Sequence, residues 1–447
     1  MRWILSLILL VSSLQALAGQ TTEYFLRNGL KLIVREDHRA PVVVSTLWYK
    51  VGSSYEQNGE TGVSHMVEHL MFKGSRKFKP GELDKIIIEN GGLQNAMTSS
   101  DFTMYYEQLP ADKLKLVLQL EADRMRGLVF RQDLYRKEHE VVMEERRMRV
   151  EDNPQGLLWE RMKAIAFLND PYQHPVIGWM SDIKHLTIND LRSWYNQWYR
   201  PNNAILIVVG DVKPNEVFNL TRKYFGSISC FELPKLKLRK EPPSKGLRTV
   251  SISLPSVKVP YLLLGYRVPT LKTGEDEWKV YALRMLLGVL NIGNSGRFTN
   301  DLIRGQQVAV DVGGQYDLYG LHEGLFILYG VPSAGTHISC LKNLILKELE
   351  TMKNQLVSMA EINRVRAQMI AQNVYRRDSM MQQAFEMGLP EIAGLSWRRS
   401  DQYIHCISKV TPEQIRKVAK EFFNTQNLTV GVLTPKDFKK GAPEMSS

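Results

Sequence analysis

Two stretches of this chain align without a gap at a displacement of 224 residues. The first, "LTINDLRSWYNQWYRPNNAILIVVGDV", covers 186–212, and the second, "VTPEQIRKVAKEFFNTQNLTVGVLTPK", covers 410–436. Each opens on a Thr placed to start a helix (Thr187, Thr411) and runs an amphipathic helix with Arg at the same position (Arg192, Arg416). Each then passes through an Asn (Asn203, Asn427) into a β-rich strand. Matching order over this length indicates duplication, so the chain is built from two copies of one plan. A Lys- and Pro-rich stretch separates them. The division expected is an N-terminal domain at 19–232, a linker at 233–247 and a homologous C-terminal domain at 248–440.

The pattern within each copy is α+β. "GLKLIVRED" and "APVVVSTLWYKVGS" read as an antiparallel strand pair. Helices follow at about 61–72, stopped by Gly74, and over 81–90, ended by Gly91 and Gly92. "LQNAMTSSDFTMYYEQL" reads as two short strands around a Ser-Asp turn, and long helices cover about 111–126, 132–150 and 155–167. The second copy repeats this style, with strands at 248–254 and 259–266, helices near 276–290 and 337–377, and strands across 307–331.

The first twenty residues differ in kind. Arg2, the apolar run "WILSLILLVSSL" and the small-x-small end Ala16-Leu17-Ala18 form a secretory signal pattern with cleavage after Ala18. Export, with a periplasmic destination, is the expectation. The net charge of +11 is spread along the chain. Its densest run, 233–246, reads as a solvated linker, and no nucleic-acid motif accompanies it. Cys230, Cys340 and Cys406 lie far apart without a CxxC, so they make no complete disulfide framework.

The chemistry concentrates in "SHMVEHLMFKGS", residues 64–75. On a helix, His65 and His69 share one face and can present two imidazoles to one ion. Zn²⁺ accepts neutral His nitrogens and takes a third protein ligand while keeping a position for water. Glu68, about 100° round the helix from His69, can lean toward that water and accept its proton as it attacks a carbonyl. Val63, Met66, Val67, Leu70 and Met71 are apolar, so the helix carries its His pair in a buried setting.

A third ligand has to come from elsewhere. In "DLYRKEHEVVMEERRMRVEDNP", residues 133–154, the expected inner stripe is Leu134, Glu138, Val141, Glu145 and Met148. Two Glu interrupt an apolar face, while Glu140, Glu144 and Arg147 fall on the wetter side. Buried carboxylates need a cation or donors, which puts Glu138 and Glu145 beside the metal.

H-x-x-E-H with a Glu 76 residues beyond its second His resembles the inverted zinc-motif peptidases, the group of pitrilysin, insulin-degrading enzyme and the mitochondrial processing peptidase. "GGLQNAMTSSDFTMYY" and "PYQHPVIGW" resemble further segments of that family, and the duplicated halves match its two-domain subunit. The resemblance covers nearly all of the mature chain. It implies two duplicated α/β-sandwich domains and one Zn²⁺ per chain held by His65, His69 and Glu145. It further implies Glu68 as general base and Glu138 as the carboxylate that orients a ligand. Asn95 and Ala96 match the edge strand on which family substrates lie as an added β-strand.

The second half departs from that pattern. "WKVYALRMLLGVL" carries neither His nor Glu, which fits one active and one supporting half. Active members draw an Arg and a Tyr, seven residues apart, from a C-terminal domain to hold substrate and stabilise the oxyanion. Here those positions fall on Ile303 and Val310. Arg304 is one position off, and Tyr316 or Tyr319 would need unusual geometry. The resemblance therefore implies a homologous partner subunit that supplies the pair, or a chain specialised to act alone. The contrasting expectation is a non-catalytic peptide-binding or scaffold subunit with a vestigial metal site.

Overall fold

The computed structural model describes residues 19–235 and 239–436. The signal pattern at 1–18 and the chain beyond residue 436 lie outside the described residues. The strands are β1 (Thr21–Phe25), β2 (Lys31–Glu36), β3 (Val42–Tyr49), β4 (Leu93–Thr98), β5 (Thr103–Pro110), β6 (Ala204–Gly210), β7 (Arg248–Leu254), β8 (Tyr261–Val268), β9 (Ala309–Gln315), β10 (Gly324–Pro332) and β11 (Leu428–Pro435). The helices that organise them are α1 (Val63–Leu70), α2 (Gln132–Arg146), α3 (Pro154–Ala166), α4 (Ile188–Trp198), α5 (Glu277–Asn291), α6 (Met380–Ile392) and α7 (Pro412–Phe422).

Every residue of β6, "AILIVVG", is buried. An unbroken apolar run of this kind fits a strand covered on both faces. β6 lies parallel to β2 and antiparallel to β3, in a sheet of order β1-β2-β6-β3-β5-β4. This corrects the expected pairing of β2 with β3. Both are apolar runs that need a buried neighbour, and β6, which starts at Ala204, inserts between them from far along the chain. The polar strand β1 was not expected; it closes the edge beside β2.

The second sheet, β7-β11-β8-β10-β9, repeats the plan, with β7 parallel to β11 and β8 antiparallel to it. The displacement of 224 carries α4 onto α7 and the start of β6 onto the start of β11. Thr187 and Thr411 each close a capping box with the residue three further on, Asp190 and Gln414. The helix expected over 337–377 is two, Ile338–Asn354 and Met359–Arg376.

The compact units do not follow the linear division expected from the sequence. Of the described residues, one unit takes those up to His139, His185–Leu236 and Arg376–Ile392, and the other takes the rest. The boundary at His139 falls within the continuous helix α2. The first sheet thus carries α6, from the second half of the sequence, packed on β3 and β6. A Cβ on Gly388 would meet the Trp48 ring at 2.3 Å, so glycine is what lets α6 approach. Lys31 holds both oxygens of buried Glu391 at 2.8 Å, and Gln383 donates to Asp37. In the other unit α3, from the first half of the sequence, packs on β7 and β11, with Leu158 and Met162 fully buried against Leu263, Ile327 and Leu433.

The linker is not wholly solvated, contrary to expectation. Glu241 accepts the backbone N–H groups of Leu168, Asn169 and Asp170, each at 2.8 Å, and pairs with Arg267 at 3.2 Å. The three cysteines are unbridged.

Candidate metal centre

Helix α1 starts on Gly62, whose φ of 91° takes the left-handed region. The carboxylate of buried Glu56 accepts from Gly62 N at 2.7 Å and Ser64 N at 2.9 Å. It satisfies amides that the first turn leaves open and sets a negative charge against the positive end of the helix. Val63, Met66, Val67 and Leu70 are buried. His65 is 7% exposed, and Glu68 and His69 are half-buried.

His65, His69 and Glu145 each offer one ligand atom, and these atoms lie within 4.8 Å of one another. The two imidazole rings stand nearly edge to face, 4.8 Å apart. Two nitrogens and one carboxylate oxygen at this spacing fit a divalent transition metal such as zinc. Glu138 Oε2 lies 3.3 Å from His69 Nδ1, and its Oε1 lies 3.0 Å from Lys73 Nζ. Burial raises the Glu138 carboxyl, but hydrogen bonds and charges from His69 and Lys73 together hold it below its ordinary value. Glu145 Oε1 is 2.9 Å from Arg149 Nε. The Thr98 hydroxyl, on β4, donates to Glu68. Behind Glu68, Tyr105 and Tyr199 pair through their hydroxyls at 3.2 Å. Burial, with Tyr199 and the Glu68 charge adding, pushes the Tyr105 phenol well up.

Asn95 and Ala96 sit on β4, the edge strand of the first sheet, paired with Tyr106 and Tyr105 of β5. The Asn95 side chain accepts from Ala96 N at 2.8 Å. Of the stripe expected to face inward on α2, Glu138 is buried and Leu134 and Glu145 are half-buried, but Val141 and Met148 turn outward. Tyr135, Val142, Met143 and Arg146 turn to the interior, where Arg146 pairs with buried Glu160 at 2.7 Å. Val141 and Met148 are 49% and 59% exposed. Apolar pattern alone misplaced that face because a buried Arg–Glu pair took an inner position.

Ile303 packs on the second core, and Val310, on β9, is 62% exposed. Tyr316 is buried and donates its hydroxyl to Pro269 O at 2.5 Å. Tyr319 packs against the same core, and Arg304 donates to Asn294 O. Sequence reasoning passed over Thr98, Lys73 and Arg149. Lys73 and Arg149 stand four residues beyond His69 and Glu145, a spacing that itself signals a shared helix face.

Residues 31–178 match the family described as insulinase (peptidase family M16), and residues 185–369 match the peptidase M16 inactive domain. The chain is 33% identical to the zinc protease PqqE of Helicobacter pylori over 344 residues, which are 76% of each protein. A crystal structure of a protease from Helicobacter pylori superposes with a TM-score of 0.88 at 29% identity, covering 94% of this chain and all of that one. The periplasmic protease PqqL from Escherichia coli shares the fold, with a TM-score of 0.77 at 20% identity, covering 92% of this chain and 47% of that one. The chain belongs to peptidase family M16, the insulinase family.

Proposed function

We propose that this chain is a zinc-dependent endopeptidase subunit, exported to the periplasm, that cleaves peptides or unfolded segments bound as β-strands. The observation that carries the reading is the convergence of His65, His69 and Glu145 ligand atoms within 4.8 Å, with Glu68 on the two-turn helix that carries both histidines. A zinc ion bound there would supply Lewis-acid polarisation and a water acidic enough to ionise near neutral pH.

The chain's own residues do the rest. His65 and His69 would hold the ion through nitrogen and Glu145 through oxygen, one ion per chain. The Glu138 carboxylate can only accept, so it keeps a proton on His69 Nδ1 and leaves the Nε2 lone pair for the metal. Glu68 takes a proton from the attacking water and passes it to the leaving amine. Thr98, donating to Glu68, fixes which oxygen faces the substrate. At the β4 edge an extended peptide pairs with the Ala96 backbone and with the Asn95 side-chain amide, replacing the contact between Asn95 Oδ1 and Ala96 N.

A homologous partner subunit completes the site in this reading. Two observations support it: Ile303 and Val310 lack the donor groups expected at those positions, and PqqL is about twice as long as this chain. Among the described residues no helix is long and apolar enough to cross a membrane. The test is Glu68→Gln, assayed for zinc and for cleavage of a mixed unfolded-peptide pool by mass spectrometry. The chain is tested alone and co-expressed with a homologous M16 subunit that carries the Arg and Tyr pair. One zinc per chain retained and cleavage abolished is the expected result. Undiminished cleavage by the variant would overturn the role of Glu68, and full turnover by the single chain would remove the need for a partner.

A further inference from the structure

Arg149 is a charged group beside this site that the reading above does not use. It lies in the π-helical turn Arg147–Glu151 that directly follows α2, and turns of this type recur at functional sites. Its Nε is 2.9 Å from Glu145 Oε1, yet the side chain stays 71% exposed. An ion pair four residues apart with so exposed a partner adds little to stability, so stability does not account for a guanidinium placed here.

The surroundings indicate what it meets. Val141 and Met148, one turn to either side of Glu145, are exposed apolar side chains on the same helix face. The open face of α2 and of the turn after it thus presents apolar, acidic, apolar and cationic groups in succession. A peptide suits such a face, with apolar side chains against Val141 and Met148 and a carbonyl oxygen within reach of the guanidinium. In amide hydrolysis the attacking oxygen bonds to the carbonyl carbon, and the electron pair of the C=O π bond moves onto the carbonyl oxygen. That oxyanion then collapses as the C–N bond breaks and the amine takes a proton. Fixed donors aimed at the oxyanion lower the barrier because they act where charge develops.

We propose that Arg149 is a catalytic residue that donates to the scissile carbonyl oxygen as it becomes an oxyanion. The assignment rests on the peptidase reading and adds a cation supplied by this chain itself. A partner subunit then has to bring a chamber wall and a phenol, but not the positive charge. Arg149 would reach the oxygen by swinging its long exposed side chain, leaving Glu145 free to hold the metal.

The test compares two probes in a Glu68→Gln background, where nothing is turned over. One is an acetylated hexapeptide; the other is the same peptide with a phosphinate in place of its central amide, an anion shaped like the tetrahedral intermediate. Arg149→Ala is expected to weaken the phosphinic peptide about a hundredfold, to leave the parent peptide within about threefold, and to keep zinc affinity, read by chelator competition, unchanged. Arg149→Lys should recover part of the loss. In the active chain the same substitution should lower kcat and leave KM nearly constant. Equal weakening of both peptides, no weakening, or loss of zinc would overturn the assignment, the last by showing that Arg149 only steadies Glu145. A parent chain that holds zinc but binds neither peptide, alone or co-expressed with a homologous M16 subunit, would overturn the peptidase reading along with it.

Discussion

His69 Nδ1 lies 3.3 Å from Glu138 Oε2, and Lys73 Nζ holds the other Glu138 oxygen at 3.0 Å. The carboxylate is fixed from both ends, so it fixes the imidazole in turn. Glu138→Gln should lower zinc affinity by about 10- to 100-fold, the usual effect of losing an outer partner of a ligating His. Lys73→Met should do less, because Glu138 keeps His69. Chelator competition monitored by a zinc-sensitive dye reads both, and equal losses would mean that Glu138 holds His69 only while Lys73 holds Glu138.

Thr98 donates to Glu68 from the strand that forms the sheet edge. Hydrogen bonds to a charged group are worth roughly 1.5–3 kcal/mol. Thr98→Val should therefore reduce kcat by about 10- to 100-fold, with KM for peptides little altered and zinc retained. Thr98→Ser should restore most of the rate. A Val variant with unchanged kcat would show that Glu68 is oriented by its other neighbours.

Much of this architecture was legible in the sequence because it rests on local chemistry repeated twice. Asn203 and Asn427 show how far the repeat goes. Asn203 Nδ2 donates to Trp198 O and Lys50 O, and Asn427 Nδ2 donates to Phe422 O and Arg267 O. Trp198 and Phe422 are themselves related by the same displacement of 224. The His65–His69 spacing was legible for a similar reason, since helical periodicity sets it without help from tertiary contacts. What failed was non-local. The place of β6 between β2 and β3, and the crossing of α3 and α6 between halves, depend on long-range packing that leaves no short-range mark. The misjudged face of α2 has a more specific cause. Arg146 sits inward because Glu160 and Gly178 O receive it, and no pattern that scores Arg as polar finds that.

Asp37 gives a pH-dependent stability contribution that can be isolated. Hydrogen bonds from Arg39 hold its carboxyl below the ordinary 3.8; burial opposes this, and Gln383 of α6 adds to the lowering. A folded-state value below the unfolded one means that the contribution is fully present above pH 3.8 and is lost as pH falls through the lower folded value. The melting temperature of the parent chain should thus exceed that of Asp37→Asn by a constant margin from neutral pH down to about pH 5, and the margin should shrink below about pH 4. Both proteins are measured in EDTA, so that metal release at low pH does not enter. Gln383→Leu should reduce the margin, because its amide donates to Asp37 Oδ2 at 2.9 Å. A margin that widens on acidification would reverse the sign of the Asp37 shift and remove this contact from what holds α6 on the first sheet.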